Sequence, residues 1–334
     1  MRNAGAFIIA EIGVNHNGSL SMARKLVDSA KKCGADAVKF QTFTADSVVT
    51  RTAVKAAYQK RNTSSSESQY EMLKKLELSR PAHMALKKHC RKRGIEFLSS
   101  AFDEDDADFL YGIGIRKFKI PSGEITNLPF LRHIARKKCP IILSTGMSTM
   151  KEVREALGII YSAGNRNVTL LHCVTEYPAP HAEINLSAML SMKKRFKVEV
   201  GYSDHTVGME IPIAAVALGA KVIEKHFTLD KSLPGPDHKA SASPAEFAGM
   251  VSAIRNVEKA MGDGVKKPAR CEIKNICVAR KSIVAACPIM KGELFRASNL
   301  RIKRPGTGIS PMGIGTVIGR KAKKNFNTDG LIEL

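Results

Sequence analysis

His205 follows the β-type run from Val198 to Gly201, and His226 follows the run from Val222 to Lys225. If these runs are adjacent parallel strands, both imidazoles emerge at the same strand ends, one strand spacing apart. Two neutral imidazoles on neighbouring loops, with Asp204, Glu224 and Asp237 close in sequence, suit a divalent transition ion such as Mn²⁺ or Zn²⁺ that keeps open positions. The spacing is not that of a closed structural zinc site, so it favours catalysis over scaffolding. The competing reading is that each His caps a strand and bonds locally.

A second group offers fixed positive charge. Lys39 lies between Val38 and Phe40, and Lys119 between Phe118 and Ile120; an ammonium inside an apolar strand needs a partner. Ser122, Ser144 and Ser203 offer hydroxyl donors, and the SGE and STG segments supply backbone N–H groups near turns. Together these would cradle a phosphate plus a carboxylate. A metal polarising an aldehyde beside such a bound anion points to carbon–carbon bond formation by aldol-like condensation.

The elements that must position these groups repeat one unit: a short β-rich run, a polar loop and a helix of 3.6-residue period. Strands are expected at Phe7 to Ile12, Ala37 to Gln41, Ile95 to Ser99, Arg116 to Ile120, Pro140 to Ser144, Asn167 to His172, and before each of the two histidines. Thr149-x-x-Glu152 reads as a capping box, and Ser243-Pro244-Ala245-Glu246 opens a closing helix. A long polar insertion from Ala45 to Gln69 interrupts the second unit; loops of this length in a compact domain are usually functional or mobile. Eight strand–helix units match an α/β (β/α)₈ barrel, with a doubly wound open sheet as the alternative. The polar chemistry favours the barrel, since Glu11, Lys39 with Gln41, Ser99 with Ser100, Lys119, Ser144, His172 with Thr175, Ser203 with His205 and Glu224 with His226 all fall at or just beyond strand C-termini. A closed barrel gathers those ends at one mouth.

Composition bounds the rest. A chain of 334 residues has room for two domains: a catalytic barrel over 1–264, a linker over 265–275 and a small β-rich domain over 276–334. No apolar run is long enough to span a bilayer, and the acidic Glu11 inside the N-terminal apolar run argues against a signal peptide. Seven scattered cysteines without CxxC spacing suggest free thiols in a reducing cytoplasm. The formal charge of +22, with 15 Lys and Arg against 4 Asp and Glu from Lys266 onward, raises nucleic acid as a partner. No basic–aromatic interleaving or nucleic-acid motif accompanies it, and an anionic substrate explains a positive field as well.

Several motifs then carry a resemblance. IAEIGVNHNGS, VKFQTF, KIPSGEITNLP, ILSTGM, LLHCVTEYPAP, GYSDHT, EKHFTLDK and GPDHKAS, in this order almost end to end, resemble the sialic acid synthase family, which includes the legionaminate synthases. The wording around PSGEITNLP, HCVTEYPAP and MGDGVKK is nearer the legionaminate branch. The resemblance implies condensation of phosphoenolpyruvate (PEP) with N-acetylmannosamine or 2,4-diacetamido-2,4,6-trideoxymannose, giving a nine-carbon 2-keto acid and phosphate. It implies His205 and His226 as ligands of a divalent ion, Mn²⁺ foremost with Mg²⁺ or Co²⁺ as alternatives. It places Lys39, Lys119, Ser122, Ser144, Thr175 and Ser203 at PEP, and Gln41, Tyr177 and Asp237 at the sugar. Glu11 and Glu124 fall on acid/base and water-positioning places. The C-terminal stretch resembles the antifreeze-like (SAF) domain of these synthases, whose Arg, here Arg304 in KRPGTG, enters the partner's active site in a domain-swapped homodimer. Ser100-Ala101 stands where many members have Thr-Pro, and KASASP at 239–244 departs from the usual KASLEP. Rival readings are a related PEP-using barrel acting on a sugar phosphate, a non-catalytic carbohydrate- or ice-binding protein, and a nucleic-acid binder.

Overall fold

A computed structural model describes residues 5–63 and 66–334; the start of the expected first domain at residues 1–4, and Ser64 and Ser65 of the polar insertion, lie outside them. The chain divides into two compact units, Met1–Gly262 and Asp263–Leu334.

The first unit is a closed parallel barrel of eight strands. In chain order these are β1 (Phe7–Gly13), β2 (Ala37–Thr42), β3 (Glu96–Ala101), β4 (Phe118–Ile120), β5 (Ile141–Ser144), β6 (Val168–His172), β7 (Glu199–Asp204) and β8 (Val222–His226). β1 pairs with both β2 and β8, which closes the ring. The helices are α1 (Leu20–Lys32), then α2 (Ala45–Val48), α3 (Ala57–Asn62) and α4 (Gln69–Leu76) within the β2 insertion, then α5 (Arg80–Arg93), α6 (Glu104–Gly112), α7 (Leu128–Arg136), α8 (Met150–Ser162), α9 (Ser187–Phe196), α10 (Glu210–Ala217) and α11 (Pro244–Ala260). Their starts are chemically marked. Ser19, Ser68, Ser79, Asp103, Thr149 and Ser243 each accept a backbone N–H of the first turn, which satisfies a donor the helix cannot pair itself.

Strand periodicity of two sorts the side chains. Ile9, Ala37, Leu98, Ile142, Leu171 and Val222 fill the barrel interior as a separate apolar plug. Two residues further along their strands stand Glu11, Lys39, Ser100, Ser144, Cys173 and Glu224, so the inward face changes from apolar to polar at one level. The alternate positions, among them Ile8, Val38, Phe40, Phe118, Tyr202 and Ile223, join the larger core beneath the helices. Two glycines serve this interior. At Gly201 a Cβ would come within 2.3 Å of the Val222 carbonyl oxygen and 2.6 Å of Leu171, so no side chain fits beside the plug. Gly13, at φ +53°, takes a left-handed conformation where the β1–β2 register shifts after Glu11.

The same alternation corrects two expectations. Ser99, two residues before the end of β3, and His172, the last residue of β6, face the helices: Ser99 Oγ lies 2.7 Å from Thr42 Oγ1, and His172 Nε2 lies 2.7 Å from the Ile184 carbonyl oxygen. A strand delivers every second residue to the mouth, and these two have the wrong parity.

In the second unit, β9 (Ser282–Ala285) pairs antiparallel with β10 (Leu300–Lys303), after the short helix α12 (Ile273–Ala279) and before α13 (Ile314–Val317). Ile283, Ile289, Phe295, Leu300, Val317, Phe326 and Ile332 form its own core. α12 begins inside the stretch read as a linker, and Gly306 N donates to the Cys277 carbonyl at 2.7 Å, which ties that helix to the loop after β10.

Candidate active site

At the C-terminal end of the barrel a cavity of about 270 Å³ is lined by residues from all eight strands or the loops after them, including Glu11, Lys39, Gln41, Ser100, Lys119, Ser122, Ser144, Thr175, Tyr177, Ser203, His205, Glu224 and His226. Most of the expected site residues therefore meet in one place.

Its floor is a charge-balanced group just above the apolar plug. Lys39 Nζ lies 2.7 Å from Glu11 Oε2 and 3.9 Å from Glu224 Oε1, and it donates to Ser100 Oγ at 3.1 Å. Lys119 Nζ donates to Glu224 Oε1 at 3.2 Å, and Ser203 Oγ donates to the same oxygen at 3.0 Å. Burial pushes the Glu11 carboxyl up, with Lys39 opposing and Glu224 adding to the rise, and the net effect is upward to about 7. Burial would raise Glu224 too, but Lys119 and Lys39 together hold it below the usual carboxylate range. Burial lowers both lysines; Glu11 and Glu224 more than restore Lys39, whereas Lys119 stays below its ordinary value. One carboxyl is thus poised to carry a proton near neutrality while its neighbour stays ionised, a separation that marks acid/base sites.

Beside the floor is a hydroxyl niche. Gly146 N donates to Ser122 Oγ at 2.9 Å, and Cys173 Sγ lies 3.2 Å from the same oxygen. Ser144 Oγ and Thr175 Oγ1 are buried without a hydrogen-bond partner in the protein. Buried hydroxyls are nearly always paired, so two orphans aimed at one cavity beside two ammonium groups fit an oxygen-rich anion.

His205 and His226 stand with ring centroids 5.7 Å apart. His205 Nδ1 donates to the Val174 carbonyl at 2.5 Å, which directs Nε2 away as the free ring nitrogen. His226 Nδ1 is buried without a hydrogen bond, 3.9 Å from Asp237 Oδ2. Burial lowers both imidazoles, and His205 and Lys39 lower His226 further, so both are neutral at pH 7, the form that binds metal. Among the described residues no three His, Cys, Asp or Glu side chains gather to hold a metal. The donor set fits a divalent ion held by two imidazoles, with its remaining positions left to water or substrate.

The Tyr177 ring packs tilted at 4.2 Å against His205, meets His226 edge-on at 5.5 Å and packs against Tyr58 at 4.9 Å. Tyr58 belongs to α3, so the insertion roofs the corner of the two histidines, where Gln59 and Gln69 also line the cavity. Arg61 pairs with Glu176 at 3.3 Å, and Asn62 Nδ2 donates to the Pro236 carbonyl at 2.8 Å, fastening the roof to the loops after β6 and β8.

Two expected residues of the barrel unit do not line this cavity. Glu124 Oε2 accepts from Asn127 Nδ2 at 2.6 Å; Asn127 caps α7, and that tie holds the carboxylate to the helix start. Asp237 is buried behind His226, where burial raises its carboxyl to about 6 against the opposing charge of Lys39. Arg304 belongs to the second unit, where its Nε donates to the Ala279 carbonyl at 3.1 Å. Glu224 joins the floor without a motif to mark it for the substrate cradle; the demand of Lys39 and Lys119 for a carboxylate is the signal that points to it. Tyr58, Gln59 and Gln69 carried no motif; only the length of the insertion marked them.

Comparison with known proteins gives a consistent picture. The NeuB family model matches residues 26–266 and the SAF domain model residues 280–333. The chain is 54% identical to an N,N'-diacetyllegionaminic acid synthase of Campylobacter jejuni, over 97% of this chain and 98% of that protein. It is 49% identical to the protein of the same name from Legionella pneumophila, over 96% and 91%. Among solved structures, an N-acetylneuraminic acid synthetase from Leptospira borgpetersenii superposes with a TM-score of 0.72 at 34% identity, covering 82% of this chain and 91% of that one.

Proposed function

The chain belongs to the NeuB family, and from that premise we propose that it condenses PEP with an N-acetylated amino-hexose to give a nine-carbon, sialic acid-type 2-keto acid and phosphate. The observation that carries this reading is the pair of buried ammonium groups, Lys39 and Lys119, bracketing Glu224 within one strand of two neutral imidazoles. The two legionaminic acid synthases among its relatives support 2,4-diacetamido-2,4,6-trideoxymannose over N-acetylmannosamine as the sugar.

When bound at His205 and His226, a divalent ion, Mn²⁺ foremost and Mg²⁺ or Co²⁺ as alternatives, supplies Lewis-acid polarisation of the sugar aldehyde. The chain's own residues do the rest. Lys39, Lys119, Ser122, Ser144, Thr175 and Ser203 hold the carboxylate and phosphate of PEP, fixing its C3 towards the aldehyde carbon. Gln41 and Tyr177 orient the sugar, and Asp237 acts on it only through His226, which it backs. C3 attacks the carbonyl carbon and the carbonyl oxygen takes a proton, while positive charge develops at C2 beside the ionised Glu224. Water adds to C2, giving one proton to a carboxylate; the tetrahedral carbon then expels phosphate by C–O cleavage as its new hydroxyl becomes the keto oxygen and passes its proton to the departing phosphate. Glu11 is the group placed to hold or move a proton at the floor, and Glu124 would need a turn away from Asn127 to position water. Such proton transfer contributes about 10²–10⁴-fold, so orientation and electrostatics supply most of the acceleration. The protein is read as a cytoplasmic homodimer in which Arg304 completes the sugar site of the partner.

With PEP labelled by ¹⁸O at its bridging position, the label should leave in phosphate; label retained in the keto acid would exclude this chemistry. Phosphate release with each of the two sugars decides the substrate, and the diacetamido sugar should give the higher kcat/KM.

A further inference from the structure

Asp204 and Lys225 are register partners on β7 and β8, one residue beyond the inward-facing Ser203 and Glu224. Their parity sends them out of the cavity into the layer under the helices, where their side chains are 0% and 4% exposed. Lys225 Nζ meets Asp204 Oδ2 and also donates to the Thr206 carbonyl at 2.8 Å. Asp204 Oδ1 accepts from Thr206 N at 3.0 Å and from Thr206 Oγ1 at 2.8 Å. Every polar atom of Thr206 is therefore engaged by this pair, and the residue clamped between Asp204 and Thr206 is His205.

We propose that Asp204 and Lys225 are positioning residues that fix the backbone carrying His205, and thereby set the geometry in which it and His226 receive a metal; this rests on the assignment of the two imidazoles as ligands. Stability alone does not account for the pair. Two charges withdrawn from water are commonly replaceable by apolar residues without loss of stability; beside this pair Ile223 is fully buried, while the buried Tyr202 hydroxyl lies close to Asp204. What apolar residues cannot reproduce is the grip on Thr206. With the His205 ring already tied through Nδ1 to Val174, the clamp removes the remaining freedom, that of the main chain. Because Lys225 directly precedes His226, the same contact joins the two ligand-bearing strand ends. Groups that orient metal ligands in this indirect way are worth about 10–100-fold in affinity.

The test measures Mn²⁺ dissociation constants of the full-length protein without substrates, from the electron paramagnetic resonance signal of free Mn²⁺, alongside thermal unfolding. Lys225→Met and Asp204→Asn should each weaken Mn²⁺ binding by about 10–100-fold. The double variant Asp204→Leu/Lys225→Met leaves no unpaired charge but strands the buried N–H, carbonyl and hydroxyl of Thr206; it should unfold below the wild-type temperature and, measured where it is fully folded, bind Mn²⁺ weakly. Thr206→Val, which keeps the ion pair and loses only the hydroxyl contact, should fold even if the single charge variants do not, and should weaken binding several-fold. Wild-type Mn²⁺ affinity in the double variant or in Thr206→Val overturns the inference and leaves the pair a packing element. A wild-type protein that turns over PEP and sugar in excess chelator, without binding Mn²⁺, overturns the ligand assignment and the inference with it.

Discussion

Lys39 Nζ lies 2.7 Å from Glu11 Oε2, and both side chains are almost wholly withdrawn from water. Breaking such a pair by removing one partner typically costs about 3–5 kcal/mol. Here the cost should fall at or below the lower end, because Glu11 already accepts a proton near neutrality. Lys39→Met should therefore remain folded, while the KM for PEP rises at least tenfold and that for the sugar changes little. Equal increases in both would make Lys39 a structural residue.

His205→Ala or His226→Ala leaves one imidazole and should abolish measurable turnover. Each variant should fold, since both rings face the cavity and their loss opens space there, away from the packing under the helices. Exhaustive chelation of the wild-type protein should have the same effect, reversed by adding Mn²⁺; activity that survives chelation would remove the metal assignment.

Asp106, at the start of α6, has a buried Oδ2 without a hydrogen-bond partner. Burial, reinforced by Asp103, raises its carboxyl to about 7. An unfolded aspartate ionises near 4, so between these values the folded state binds the extra proton and stability falls as pH rises. Asp106→Asn should thus change the unfolding temperature little at pH 4 and raise it progressively towards pH 8. A constant difference across that range would mean that Asp106 titrates normally.

Arg304 follows β10 in a unit separate from the barrel. If it serves the partner's site, mixing an Arg304→Ala chain with a Lys119→Met chain creates dimers with one doubly defective site and one intact site. Random exchange should then restore roughly a quarter of wild-type activity. If subunit exchange is confirmed by mass and the mixture stays inactive, Arg304 acts within its own chain or not at all.

The barrel was legible because its signals are local: strand runs, capping residues and turn glycines each announce their own element. The site was legible where parity coincided with motif, as at Lys39, Lys119, Ser144 and the two histidines. It was obscured where a strand end carried two polar residues and only one faces inward, as with Ser99 and Ser100 or His172 and Cys173. Strand length decided another case, because β7 runs on to Asp204, beyond the apolar residues that mark it. Glu224 was hidden for a different reason: its role comes from partners on β2, β4 and β7, a convergence only ring closure creates. Tyr58 of the roof reaches the site through a ring contact with Tyr177 and has no signature in sequence.

The roof over the cavity also bears on traffic. The apolar plug closes the barrel from below, and α3, latched through Arg61 and Asn62, narrows the way in from above. A site open at one end admits its ligands in a queue, and the one that binds at the floor must arrive before the one that binds beneath the roof. PEP, held by Lys39 and Lys119, would be the first guest, and the sugar under Tyr58 and Tyr177 the second. Steady-state kinetics should then be ordered, with a dead-end sugar analogue uncompetitive against PEP, and phosphate trapped at the floor until the long keto acid has left.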